Sequence, residues 1–354
     1  MDGDFYVDFA HLNTIQTRIV TDYFYASEVV LGRAGTGKSL IALHKLARVP
    51  SGHTVALVVF TKSLKKYFED GLKALGIKED IVYYRDQWLK NPFSVDYLFV
   101  DECQDFNHEE IESFKQHGHI CFFFGDSEQT IMNFGDLQTQ SVEQTAIDLK
   151  IRPHVLTTNY RLTYQNAAVA EYIDKVPQNE ISQYCIRDGS KPFLLQGNDP
   201  NEQLDMIIKR ISIDKLTRVG ILVPYNTEVR AESSPDHNPI LSVQFVAKYF
   251  NLHGMPVEVK ENSNNGNVMD IDFESNLPKI ISYHSAKGLQ FNDVFIPFCE
   301  TVFHEEDYKR RQQYVAVTRA WSRLYICYSG QLNKKVFPPE NSELYSSSDA
   351  ISNI

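Results

Sequence analysis

The amino-acid sequence predicts an α/β protein of two tandem domains, each built on a parallel sheet. Three observations lead there. Short apolar runs rich in β-branched and aromatic residues alternate with stretches whose apolar residues recur every three or four positions, the pattern of strands alternating with helices. A glycine-rich loop, Gly32-Arg33-Ala34-Gly35-Thr36-Gly37-Lys38-Ser39, falls between the first such strand and the helix after it. The alternation begins afresh near Val155, and 354 residues are enough for a second core.

In the first half, strands are expected at 28–31, 54–60, 96–100 and 120–124, with helices at 38–48 and 62–75. Strands separated by helices run parallel, with helices covering both sheet faces. In the second half, helices are expected at 164–174, 202–213, 240–250 and 307–320. Its strands are expected at 218–223, 278–283, 292–297 and 323–328, and the Asn-rich stretch 261–266 reads as a surface loop. The expected organisation is a first domain over 1–154, a second over 155–332 and an irregular tail over 333–354.

Composition narrows the function classes. Hydrophobic residues at 43% and charged residues at 23% suit a soluble globular chain, and no apolar run approaches the ~20 residues of a membrane span. The start, Met1-Asp2-Gly3-Asp4, is acidic and unlike a secretion signal. Cys103, Cys121, Cys185, Cys299 and Cys327 form no C-x-x-C pair, which argues against a disulfide framework or zinc site and for reduced thiols in the cytoplasm. A net charge of −11 argues against tight, indiscriminate binding to duplex nucleic acid, yet permits a local basic groove or an acidic face toward a protein partner.

The chemistry concentrates in two motifs. The G-x-x-x-x-G-K-S loop at 32–39 follows a strand and opens a helix, the context in which backbone N–H groups and a helix N-terminus bind phosphates. Gly32 to Ser39, with Leu40 after them, are therefore the candidate nucleotide contacts. Lys38 is expected on the outer phosphates and Ser39 on Mg2+. Downstream, Tyr97-Leu98-Phe99-Val100-Asp101-Glu102 is an apolar strand ending in two carboxylates. Asp101 is the second candidate metal ligand, and Glu102 is placed to deprotonate an attacking water.

From Asp101-Glu102-Cys103-Gln104 onward the chain resembles superfamily 1 helicases of the UvrD/Rep type, and the resemblance covers residues 12–330 in order. Leu12-Asn13-x-x-Gln16 resembles the Q motif, whose glutamine reads adenine. Phe124-Gly125-Asp126-Ser127-Glu128-Gln129 resembles motif III, in which Gln129 would contact the γ-phosphate. Asn159-Tyr160-Arg161 resembles motif IV, with Tyr160 stacked on the base and Arg161 on the γ-phosphate. His284-Ser285-Ala286-Lys287-Gly288-Leu289-Gln290-Phe291 resembles motif V, implying nucleotide contacts from Gly288 and Gln290. Tyr314-Val315-Ala316-Val317-Thr318-Arg319-Ala320 resembles motif VI, implying that Arg319 is a second arginine finger. Two tandem RecA-like domains with ATP in the cleft between them are what this family implies.

The departures are specific. Gln290 stands where the family usually has Glu, and Phe60-Thr61-Lys62-Ser63-Leu64 lacks the Asn common in motif Ia. Phe134 replaces a base-stacking tryptophan, and Met132 a usual tyrosine. Full-size relatives insert accessory domains between motifs Ia and II and between IV and V. Here the first interval is only 69–95, too short for an independent domain, and core elements take up most of 164–280. Candidates for the nucleic-acid track are Phe60, Thr61, Lys62, Phe134 and His284, with Lys65 and Lys66 nearby; the lysines equally suit a solvated helix face.

Two readings stay open. One is an ATP- and Mg2+-dependent translocase or helicase on single-stranded DNA, with RNA also possible. The other is a nucleotide-driven subunit serving a protein partner such as a nuclease. A small-molecule kinase leaves motifs III to VI unexplained, and no membrane partner is expected.

Overall fold

The computed structural model describes residues 9–127, 138–174, 181–234, 237–259, 271–272, 275–300 and 306–346. Contacts divide the chain into two units, Met1–Tyr160 and Arg161–Ile354. The division lies beyond the boundary expected after residue 154, because a strand at His154–Leu156 still belongs to the first sheet.

In the first unit the strands are β1 (Glu28–Gly32), β2 (Val55–Val59), β3 (Val82–Tyr84), β4 (Val95–Val100), β5 (Gly118–Gly125) and β6 (His154–Leu156). The helices are α1 (Thr14–Thr21), α2 (Lys38–Leu46), α3 (Lys62–Ala74), α4 (Arg85–Lys90), α5 (His108–His117) and α6 (Val142–Asp148). The sheet order is β3-β2-β4-β5-β1-β6, with every pair parallel. Alternate residues of each strand feed opposite faces. Tyr97, Phe99, Phe122 and Phe124 enter one core, while Leu98, Val100, Cys121 and Phe123 enter the other. Such two-sided burial makes these strands continuous apolar runs. Because all six strands point the same way, the loops after β1, β4 and β5 leave from one sheet edge.

The second unit repeats this plan. Its strands are β8 (Cys185–Arg187), β9 (Phe193–Gly197), β10 (Val219–Val223), β11 (Glu258–Val259), β12 (Lys279–Ser282), β13 (Phe291–Ile296) and β14 (Ala320–Ser329). Its helices are α7 (Tyr164–Asp174), α8 (Pro200–Ile213), α9 (Glu228–Glu232), α10 (Val243–Leu252) and α11 (Glu306–Val317). The parallel sheet runs β11-β12-β10-β13-β14-β9. A short strand β7 (Asn159–Thr163), in which the division between the units falls, pairs with β8.

One expectation needs correction. The helix expected over 307–320 stops at Val317, and Ala320 already starts β14, so Arg319 sits in the turn between them. Over 333–346 the tail has irregular backbone and also contributes to the core: Val336, Phe337 and Tyr345 are buried in the second unit. The Asn-rich stretch 261–266 lies outside the described residues. All five cysteines are free thiols and buried. Among the described residues no helix is long and apolar enough to cross a membrane.

Candidate nucleotide site

β1 ends at Gly32, and the chain turns through Gly35 and Gly37 at φ of 82° and 86° before α2 starts at Lys38. These left-handed values favour glycine. At Gly37 there is a second reason, since a Cβ there would lie 2.7 Å from Gln16 Nε2. The loop is held in shape by side chains around it. Gln16 Nε2 donates to Thr36 O at 3.0 Å and Asn159 Nδ2 to Ala34 O at 2.8 Å. The Tyr160 N–H donates to Gly35 O at 2.9 Å, and the Tyr160 hydroxyl accepts from Asn13 Nδ2. Lys38 Nζ donates to Gly32 O at 2.7 Å and Arg33 O at 3.3 Å, which keeps its ammonium over the loop. Leu40 follows on the first turn of α2, half-buried.

This arrangement gives Gln16 and Tyr160 a second occupation. Gln16 Oε1 accepts from the Asn13 N–H at 3.0 Å while Asn13 Oδ1 accepts from the Gln16 N–H at 2.8 Å, a capping box that starts α1. Both ends of the Gln16 amide are thus engaged, and the residue is buried. Asn13 and Asn159 both lie inside the quoted motifs, but nothing in their spacing announces these pairings.

β4 delivers the acidic pair to the same sheet edge. Ser39 Oγ donates to Asp101 Oδ2 at 2.7 Å, and Asp101 Oδ1 is buried with no hydrogen-bond partner. A buried, unsatisfied carboxylate oxygen beside a phosphate-binding serine suits a hard divalent cation. Burial first, and the neighbouring Glu102 charge second, push the Asp101 carboxyl up to about 7; the Ser39 hydrogen bond and Lys38 oppose this. Glu102 is buried and adopts φ of 54°, unusual for a non-glycine residue.

Gln104 holds Glu102 there, a role that its place in the sequence does not announce. Its Nε2 donates to Glu102 Oε2 at 2.5 Å, and its Oε1 accepts from the Asp126 N–H at 3.0 Å. The start of the motif III segment after β5 is thereby joined to the acidic pair after β4. Gly125 permits the approach, since a Cβ there would lie 2.6 Å from Gln104 Oε1. Asp126 also faces Arg33 at 3.9 Å.

In the second unit one short segment, Leu289 to Phe291, meets both candidate arginine fingers. Arg161 Nε donates to Gln290 Oε1 at 3.1 Å. Arg319 is 1% exposed and turned into its own unit: Nε donates to Val315 O at 2.9 Å, Nη1 to Leu289 O at 3.2 Å and Nη2 to Thr318 Oγ1 at 3.0 Å. The Phe291 N–H donates to Arg319 O at 3.0 Å, and Gly288, at φ of 80°, turns the chain into this segment.

The candidate track residues are largely committed elsewhere. Phe60 packs edge-on against Phe106 at 5.2 Å, with the Arg85 guanidinium 5.6 Å from its ring. Thr61 Oγ1 caps α3 by accepting from the Leu64 N–H at 3.2 Å, and Lys62 Nζ lies 5.4 Å from the Tyr84 ring. Lys65 and Lys66 pair with Glu69 and Asp70 one helical turn on, as solvated lysines do. His284 Nε2 faces Gln312 Nε2 at 3.3 Å. Gln129, Met132 and Phe134 lie outside the described residues. Lys309 is buried, with its Nζ 4.4 Å from the Tyr225 ring.

Residues 279–327 match the family model of the UvrD-like helicase C-terminal domain, the stretch from β12 to β14. The chain is also 24% identical over 267 residues to "Putative ATP-dependent DNA helicase R568" of Acanthamoeba polyphaga mimivirus. That similarity covers 68% of this chain but 36% of the relative, so the chain spans about a third of the curated relative it matches. Among solved structures, the PRRSV helicase aligns with 93% of this chain and 57% of its own, at 13% identity and a TM-score of 0.49. Arterivirus nonstructural protein 10 (helicase) in complex with DNA aligns with 88% of this chain and 62% of its own, at 17% identity and a TM-score of 0.45.

Proposed function

Taking as premise that the chain is related, through residues 279–327, to superfamily 1 helicases of the UvrD type, we propose that it is an ATP-driven motor acting on single-stranded nucleic acid, DNA in the first instance. The observation that carries this reading is the Ser39–Asp101 hydrogen bond of 2.7 Å, with the unsatisfied Asp101 Oδ1 and buried Glu102 beside it. A phosphate loop and a Walker-type strand end meet there as nucleotide hydrolysis requires.

In this reading Ser39 and Asp101 hold Mg2+, which when bound neutralises charge on the phosphates. Backbone N–H groups of 33–39 and the N-terminus of α2 receive the phosphates, and Lys38 transfers its ammonium from the loop carbonyls to their outer oxygens. Glu102, fixed by Gln104, orients a water and accepts its proton. Gln129, Arg161 and Arg319 stabilise charge on the transferring phosphoryl group. Motion on the strand follows from the hydrolysis cycle, with Thr61, Lys62, Phe134 and His284 as contacts to it.

The test is the hydrolysis rate with and without single-stranded DNA or RNA at low salt, with Lys38→Ala as the inactive control. Stimulation by a strand supports the motor; a rate that neither nucleic acid changes overturns it.

A second reading is favoured by one observation. Residues 69–95 hold the end of α3, then β3 and α4, and the start of β4, with only short connections between them, so no domain is inserted between motifs Ia and II. Such inserts serve duplex handling in the family, so the engine could serve a protein partner such as a nuclease with little unwinding of its own. That version expects a partner whose retention changes between ADP and a non-hydrolysable ATP analogue.

A further inference from the structure

Outside every motif, Arg187 at the end of β8 joins two parts of the second unit that lie far apart in sequence. Its Nη1 donates to the carbonyl oxygen of Arg161 and, at 2.7 Å, to that of Trp321. Its guanidinium carbon lies 3.8 Å from the centroid of the Trp321 ring, so the side chain is stacked as well as hydrogen-bonded. Nearby, Asn166 Nδ2 donates to Ser322 O at 3.3 Å, which ties the start of α7 to the same strand.

The two carbonyls belong to significant places. One is the backbone of Arg161 itself. The other lies two residues beyond Arg319, at the start of β14, and the Arg319 carbonyl in turn receives the Phe291 N–H. One guanidinium therefore sets the distance between the backbone segments from which both candidate fingers depart.

Holding two carbonyls needs only a donor, and a neutral one would do it at a smaller desolvation cost than a half-buried charge. Among the described residues Arg187 has no carboxylate partner, and burial lowers its pKa. What arginine adds is rigidity: a planar fork, clamped against an indole face, with both acceptors fixed relative to that plane.

We propose that Arg187 is a positioning residue for nucleotide hydrolysis, locking the Arg161 and Arg319 segments at one spacing so that both arginines address the phosphoryl group together. The inference rests on the hydrolysis reading above.

The experiment compares Arg187→Met, which keeps an apolar stem on Trp321 without donors, with Arg187→Lys, which restores charge and donors. Steady-state kcat and KM for ATP are measured with single-stranded DNA present, alongside thermal unfolding. Because small misplacements of catalytic groups are costly, Arg187→Met is expected to lower kcat about tenfold or more with KM within about twofold, and Arg187→Lys, which has donors but no planar fork, to recover only part of the loss. In an Arg161→Ala background, Arg187→Met should cost clearly less than in the wild type, since one of the two arginines through which it acts is already gone.

A folded Arg187→Met protein with wild-type kcat overturns the proposal, and so does a full tenfold loss repeated in the Arg161→Ala background. If Arg187→Met does not fold, Arg187→Gln, which retains a donor, takes its place with the same expected split and the same overturning result. If the unaltered chain hydrolyses ATP no faster than Lys38→Ala, the hydrolysis reading itself fails and this inference falls with it. That outcome is distinct from an active wild type with an indifferent Arg187.

Discussion

Arg161 and Gln290 are joined by a hydrogen bond, Nε to Oε1 at 3.1 Å, that links β7 to the segment between β12 and β13. The bond uses one guanidinium donor and orients the rest. Gln290→Leu removes the acceptor at nearly constant volume and should lower kcat for ATP about tenfold, near the net worth of one hydrogen bond to a charged group. Gln290→Glu keeps an acceptor and should retain most of the rate. The measurement is steady-state hydrolysis at saturating ATP; equal rates for Gln290→Leu and wild type would show that the bond does not orient Arg161.

Gln16 provides a test of two roles for one side chain. Its amide braces Thr36 O and closes the Asn13 capping box, so its loss should slacken the whole phosphate loop. Gln16→Ala is expected to weaken ATP and GTP binding by a similar factor, about 5- to 10-fold for the lost bonds. Equilibrium titration with fluorescent analogues of both nucleotides decides the matter. A loss confined to ATP would mean that the amide leaves Thr36 and reads the adenine, as the helicase resemblance implies.

Gln104 is the bridge between Glu102 and the Asp126 N–H, and both of its partners are buried. Gln104→Leu removes both bonds, each worth about 0.5–3 kcal/mol depending on the charge of the partner. The reaction should suffer more than binding, because the base is misplaced while the phosphate loop is untouched. Single-turnover hydrolysis is expected to slow about 10- to 100-fold with nucleotide affinity little changed. Affinity and rate falling together would point to general collapse of the sheet edge instead.

Much of this architecture was legible because the information is local. β1, β2, β4 and β5 are buried on both faces, so each is a conspicuous apolar run, and the P-loop and Asp101-Glu102 sit at the ends of two of them. Elements lacking a conspicuous apolar run leave little trace in the sequence. In α5 only Ile111 and Phe114 supply a hydrophobic face, and its start is marked instead by the Asn107–Glu110 capping box. β7 and β8 are short and half-exposed, so neither spacing nor composition announces them. The side-chain braces were the least legible part. Asn159 reaches Ala34 across 125 residues of sequence, and Arg187 reaches Trp321 across 134. Pairings at that range depend on the completed fold, whereas a motif records only which residues are present.

The tail shows the same limit from the stability side, and it yields the last expectation. Proline and serine make 333–354 read as irregular, and the backbone of its described part, 333–346, is. Yet the Asn333 N–H donates to Cys299 O at 3.0 Å, which docks the segment beside β13, and the Val336 and Phe337 N–H groups return to Asn333 O at 3.1 and 2.9 Å. That turn drives Phe337, 1% exposed, into the core of the second unit. Tyr345 follows it, with its hydroxyl donating to Pro338 O at 3.1 Å, and the Ser346 N–H donates to Pro192 O at 3.0 Å. Irregular backbone with its polar groups satisfied can bury apolar side chains as well as a helix does. Phe337→Ala should therefore cost about 3–5 kcal/mol, as for other buried phenylalanines, read as a lower denaturation midpoint in urea. A shift worth less than about 0.5 kcal/mol, the usual range for surface substitutions, would mean that the tail only lies against the second unit and does not help hold it together.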